Sequence, residues 1–234
     1  MNSPKAQFLA GVRTEIPIVL GVIPFGLIFG VLAANAGLPS MLAWSTSQII
    51  FAGSAQFLAI PLIQQGAPAT ILILTTFIIN LRHLLYSASL SPHAQHLPIR
   101  WKLLLSYLLT DEAYTPTIVQ YQREDMPHEH THWFWLGTGL TLWASWQITT
   151  GLGIFLGAQL PDGLGLEFTL SLTFIGLIVP TLTRWPSIGA ALSAGVIAVG
   201  TAELPFRLNL MLAALIGIGV GLLLEARERE LGVG

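Results

Sequence analysis

Apolar runs separated by short polar turns set the rhythm of this chain. They cover residues 16–36, 41–63, 69–90, 101–119, 133–158, 166–182, 186–202 and 204–224. Crossing about 30 Å of hydrocarbon takes roughly 20 such residues as a helix, and 186–202 is barely long enough. The pattern predicts an all-α polytopic membrane protein, one integral domain over residues 1–234. It has eight transmembrane helices, or seven if 186–202 is re-entrant. Short segments broken by glycine and proline in both halves point to some discontinuous helices, without a demonstrable internal repeat.

Small residues are spaced for close packing. Gly26 and Gly30 in the first run, and Gly153 and Gly157 in the fifth, are four apart, a stripe that lets another helix approach closely. Pro17 and Pro24 interrupt the first run, and residues 1–13 read as a polar lead. Trp133 and Trp135 read as anchors at a membrane interface.

The polar residues inside the second, third and fourth runs change the picture most. Gln48 and Gln56 lie eight apart, almost on one helical face, and each amide would lose several kcal/mol of hydrogen bonding if it faced lipid. Ser45, Ser47, Gly53 and Ser54 share their segment. The third run ends in Asn80-Leu81-Arg82-His83-Leu84-Leu85-Tyr86-Ser87. Arg82 keeps its charge at any relevant pH, so it pairs with a carboxylate, binds an anion or snorkels. His83 can change charge near neutrality. The fourth run holds Asp111 and Glu112, which point about 100° apart on a helix: one is a candidate counter-ion for Arg82 and the other a candidate proton carrier. An ion pair that only locks helices together is the plainer alternative.

Composition agrees. Hydrophobic residues make up 53% and charged residues 9% of the chain, against roughly 25% charged in soluble domains, and the mean hydropathy is +0.69. A net charge of -2 excludes a strongly basic nucleic-acid binder, and the absence of cysteine excludes disulfides and thiol chemistry. The most charged stretch, 120–132, alternates His128, His130 and His132. An exposed loop accounts for them better than a metal site, so no metal and no cofactor is assigned. No nucleophile or zinc-hydrolase motif stands in its expected context, and an enzyme is not expected. With eight crossings and an inside N-terminus, Lys5, Arg13, Arg123, Arg184, Arg227 and Arg229 fall inside, and Arg100, Lys102 and Arg207 outside. That bias places both termini in the cytoplasm.

The chain resembles the AzlC family. The stretches that carry the resemblance are Gly21-Val22-Ile23-Pro24-Phe25-Gly26 with Gly30, Phe51-Ala52-Gly53-Ser54-Ala55-Gln56-Phe57, the Asn80–Ser87 run quoted above, Leu109-Thr110-Asp111-Glu112, and the region from Thr173-Phe174-Ile175 to Val179-Pro180. The resemblance implies a bacterial inner-membrane permease, the large subunit of a branched-chain amino acid exporter. Such a subunit works with a smaller hydrophobic AzlD-like partner and draws on the proton motive force. It assigns importance to Gln48, Ser54, Gln56, Asn80, Arg82, His83, Asp111 and Glu112 without saying which of them touch substrate.

A zwitterionic amino acid needs an acceptor for its ammonium group, donors for its carboxylate and an apolar pocket. Asp111 or Glu112 can supply the first, Arg82 with Asn80 and Gln56 the second, and Phe51 or Phe57 the third. His83 or one carboxylate would carry the proton. An uncoupled channel or facilitator for a small neutral solute, and a structural membrane subunit, are the alternatives.

Overall fold

The computed structural model describes residues 3–123, 129–159, 175, 179 and 182–230. Ten α-helices account for most of them: α1 (Pro4–Asn35), α2 (Ser40–Ile49), α3 (Gly53–Gln64), α4 (Ala69–Asn80), α5 (Arg82–Ala94), α6 (Ile99–Tyr107), α7 (Asp111–Tyr121), α8 (Thr131–Gly157), α9 (Trp185–Gly200) and α10 (Leu208–Glu230). Contacts divide the chain into one unit of Met1–Pro61 with Ile79–Leu164, and another of Leu62–Ile78 with Gly165–Gly234.

The first unit is built on α1 and α8. The polar lead is in fact helical: Ser3 caps α1 by accepting from the Ala6 amide at 3.2 Å, and Pro4 occupies the first turn, where its missing N–H is harmless. Pro17 and Pro24 do not interrupt this helix, which runs through both. Each proline removes one intrahelical bond, and packing against α8 holds the helix together. The two glycine stripes are opposite sides of one seam. A side chain on Gly30 would strike the Thr150 carbonyl and the Ile154 amide, one on Gly153 the Leu27 carbonyl, and one on Gly157 the backbone of Val31. Gly11 and Gly137 continue the seam against Phe134 and Phe8. These pairings ascend together in both helices, so α1 and α8 run parallel.

Beside the seam, Leu90, Ala94, Leu97, Leu105, Leu109, Tyr121 and Trp135 form a buried apolar cluster of α5, α6, α7 and α8. Trp135 is therefore a core residue, not an interface anchor. In the second unit, α9 and α10 form an antiparallel pair. Gly189 lies against Leu224 and Gly217 against Ala194; the Asn209 amide donates to the Ala198 carbonyl at 2.9 Å, and Arg184 pairs with Glu228 at 2.5 Å. The charged tail extends α10 rather than leaving it.

Among the described residues, two helices are long and apolar enough to cross a membrane unaided, Pro4–Asn35 and Pro205–Glu230, and the bent pair Ala69–Asn80 with Arg82–Ala94 makes a third candidate. The chain is a multi-pass membrane protein. The run 166–182 lies almost entirely outside the described residues, and with it most of the Thr173–Pro180 stretch.

Candidate functional site

Each of the three runs with internal polar residues is a broken helix. The second breaks between α2 and α3 at Phe51, whose φ of 38° is costly for a residue with a side chain. The third breaks at Leu81 between α4 and α5, and the fourth at Leu108–Thr110 between α6 and α7. A break leaves helix-end N–H and C=O groups without intrahelical partners, which is tolerable at membrane depth only where protein or a wet cavity receives them. Three half-helices thus begin at Gly53, Arg82 and Asp111, each with the positive end of its dipole at the break.

Side chains from those three first turns meet. Arg82 pairs through Nη1 with Asp111 Oδ2, and its Nη2 donates to Ser54 Oγ at 2.7 Å. Thr110 caps α7 by accepting from the Ala113 amide, which seats Asp111 and Glu112 in the first turn, where the helix dipole favours negative charge. The pair is closed on one side only. Arg82 Nε, Asp111 Oδ1, Asn80 Oδ1 and His83 Nε2 are buried without hydrogen-bond partners, and the Arg82 and Asp111 side chains keep 33% and 36% exposure, so the pair is reachable. Tyr86 stacks on Tyr114 at 4.5 Å beside it, and the Tyr114 hydroxyl donates to Ser89 at 3.0 Å.

From this level a polar row descends α5: His83, Ser87, Ser91 and Gln95 follow at intervals of four. Ser87, Ser91 and Gln95 line a cavity of about 260 Å³, together with Lys102, Ser106 and Trp135.

Gln56 belongs to a different cluster. Its Nε2 donates to Ser47 Oγ at 2.8 Å and its Oε1 accepts from Trp146 Nε1 at 3.1 Å, while Ser47 Oγ shares a 3.2 Å bond with Thr150. Gln147 donates to the Ser47 carbonyl at 3.2 Å. With Gln56 1% exposed, this network fastens α2 and α3 to α8. Gln48 is exposed, and its carbonyl accepts from the Tyr107 hydroxyl at 2.5 Å. Phe51 and Phe57 are buried, Phe51 against Tyr107 and Phe57 edge-on to Phe29. The structure thus brings Ser54, Asn80, Arg82, His83 and Asp111 to one place, and sets Gln48, Gln56 and Phe57 elsewhere.

Sequence reasoning placed Ser47 in the polar segment but missed its partners Trp146, Gln147 and Thr150, because a residue in a helix gives no local sign of a partner 100 residues away. It also missed Glu15, which is fully buried in α1. That signal was available: Glu15 stands four residues after Gly11, on the face that meets α8.

The histidines of 120–132 are not a free loop where they are described. His130 and His132 open α8, and His132 lies edge-on to Trp101 at 4.9 Å and to His96 at 6.4 Å. His132, ahead of the apolar part of α8, is held below the usual histidine range by burial, with His96 and His130 adding to it. No group of acidic or histidine side chains among the described residues could hold a metal; His128 lies outside them.

Comparison with known proteins gives this geometry its context. The family model described as AzlC protein matches residues 17–160. An uncharacterized membrane protein of Archaeoglobus fulgidus is 32% identical over 201 residues, covering 84% of this chain and 85% of its own. The inner membrane protein YgaZ of Escherichia coli is 29% identical over 190 residues, with 79% and 77% covered. The branched-chain amino acid transport protein AzlC of Bacillus subtilis is 23% identical over 175 residues, with 74% and 67% covered. No solved structure matches the chain. The matched region holds all three helix breaks and the ion pair between them, and the chain belongs to the AzlC family.

Proposed function

We propose that this chain is a secondary transporter that exports branched-chain and related hydrophobic amino acids from the cytoplasm. It draws on the proton gradient and works with a small AzlD-like membrane subunit. Eight crossings, with each broken pair α2–α3, α4–α5 and α6–α7 counted as one span, are part of the same proposal.

The observation that carries the reading is the half-open ion pair where three helix breaks converge. A zwitterion presents a carboxylate and an ammonium side by side, charges opposite to those of Arg82 and Asp111, which are also side by side. Its carboxylate suits Arg82, Ser54 and the half-helix N-termini, as anionic groups suit discontinuous helices elsewhere. Its ammonium suits Asp111 and the Asn80 oxygen. The four unpartnered atoms of Asn80, Arg82, His83 and Asp111 are donors and acceptors that such a substrate would satisfy once it displaces the groups that cover them. The serine row on α5 offers a polar way between this level and the Ser87–Lys102 cavity.

Neutralising either partner, Arg82→Gln or Asp111→Asn, removes a charge-assisted contact worth about 1.5–3 kcal/mol, a roughly ten- to hundredfold loss of apparent substrate affinity. The measurement is leucine and valine export from preloaded proteoliposomes containing the chain with its small partner. Full export by both variants would end the proposal. The second reading, a structural lock, draws on the closed Arg82–Asp111 contact itself. On that reading the charge-swapped double variant (Arg82→Asp with Asp111→Arg) restores both folded protein and export. On the transport reading it restores folded protein only.

A further inference from the structure

Glu15 is the most anomalous side chain of the first unit. It has 0% exposure, and neither carboxyl oxygen has a hydrogen-bond partner. One turn earlier on its face, Gly11 abuts the backbone of Phe134 and Thr138. The same stretch of α8 is met by α7 and the break before it: Thr117 and Thr138 share a 3.3 Å hydrogen bond, and Leu108 packs on Gly139. Glu112 lies between Leu108 and Thr117, in the first turn of α7, a helix that also meets α1.

Among the described residues Glu15 has no cationic partner. From Trp133 to its end α8 has no ionisable side chain, α2 has none at all, and Arg13, the nearest base on α1, is exposed on another face. Of the first turn of α7, Asp111 is already engaged by Arg82. An ionised carboxylate sealed between helices with no donor and a like charge as neighbour costs many kcal/mol; the neutral acid avoids that cost.

We propose that Glu15, paired with Glu112 across the contact of α1 with α7, is a proton-binding site of this chain, separate from the Arg82–Asp111 site. Two neighbouring carboxyls hold one proton between them because both cannot ionise together. Binding converts one carboxylate and one proton to a carboxylic acid, and release reverses it. The link to the ion pair is covalent and short. Asp111 and Glu112 are consecutive in the first turn of α7, Asp111 engaged with Arg82 and the helix itself in contact with α1, so a shift of that turn when Asp111 takes a substrate ammonium also moves Glu112. This coupling role rests on the transport reading; occupancy by a proton does not.

Infrared difference spectroscopy on the full chain in lipid, between neutral and alkaline pH, reads the site directly. The wild type shows the C=O band of a neutral carboxylic acid that disappears on alkalinisation. Glu15→Gln removes that band and Asp111→Asn keeps it. A wild type without the band, or a band unchanged in Glu15→Gln, overturns the proposal. If Glu15→Gln fails to accumulate, Glu15→Asp keeps a carboxyl and shows the band at a displaced frequency; an undisplaced band overturns it equally. Export separates the two readings. A chain that moves no amino acid but shows the Glu15 band loses the transport reading and keeps the proton site. Proton-driven export at the wild-type rate in Glu15→Gln removes the coupling role.

Discussion

At the scale of single residues, membrane depth sorts polar side chains by whether their bonding is complete. Gln56 has both ends of its amide engaged within the chain, so it holds helices. Arg82 and Asp111 satisfy one another in part and leave Arg82 Nε and Asp111 Oδ1 without hydrogen-bond partners. The sequence displayed all three, since a charge or an amide in an apolar run is conspicuous, but not which was complete. Completeness depends on Trp146 and Ser47 meeting the amide, a pairing with no such visibility. Glu15 escaped because it fell between the assumed lead and the assumed first span, and only the true start of α1 at Pro4 puts it mid-helix.

His132 gives a prediction at this scale. Its folded value lies below the usual 6.5, so the folded chain resists a proton that the unfolded chain accepts. The associated stability is complete above about pH 6.5 and falls as pH drops through that value towards the folded one. His132→Gln cannot take up the proton. Its melting temperature in detergent should therefore fall less than that of the wild type between about pH 7 and 5. Equal acid sensitivity in both proteins would place the loss in other groups.

At the scale of elements, the glycine stripes were legible, and so was the presence of broken helices, but not where they break. Spacings of four in two distant runs imply two close-packing faces, and the structure shows that they pack on one another. Proline was a poor guide to interruption. Pro17, Pro24, Pro61, Pro92 and Pro116 all lie inside helices, whereas α4 gives way to α5 at Leu81, with no proline or glycine there. What joins the three breaks is tertiary: Arg82 reaches Ser54 and Asp111, 28 and 29 residues away. Such a tie is invisible to any local window.

The seam invites a controlled comparison. Gly30→Ala drives a methyl group into the Thr150 carbonyl and the Ile154 amide, backbone atoms that yield only if the helices part. Overpacking of this kind costs about 1–3 kcal/mol. Gly21→Ala, in the same helix, meets nothing within 4 Å and gains up to roughly 1 kcal/mol of helix propensity. Thermal denaturation in detergent should show Gly30→Ala clearly less stable than wild type and Gly21→Ala equal or better. The reverse order would mean that α1 and α8 do not approach along this face.

At the scale of the whole molecule, the outward surface carries large apolar side chains on nearly every helix, among them Leu20, Ile73, Phe77, Val196, Val199 and Leu223, all more than half exposed. That surface suits lipid and is far larger than a water-soluble chain tolerates. How many times the chain crosses is a separate question, because half-helices of 9 to 13 residues, such as α5, α6 and α7, are each too short to span about 30 Å alone. Counted in pairs, with α1, α8, α9, α10 and the apolar run 166–182 of the sequence as one crossing each, they give eight, an even number, which puts both ends on one side; the arginines at 227 and 229 then join Lys5 and Arg13 in the cytoplasm. Counted with 186–202 as a re-entrant segment they give seven, and the tail arginines lie outside. The chain has no cysteine, so a single cysteine at Lys5 or at Glu230 reports one position without background. On the eight-span arrangement, a membrane-impermeant thiol reagent added to intact cells leaves both positions unlabelled, and permeabilisation exposes both. Labelling of the Glu230 position alone in intact cells would establish an odd number of crossings. It would also put Glu228 on the opposite side of the membrane from Arg184, which the ion pair between them opposes.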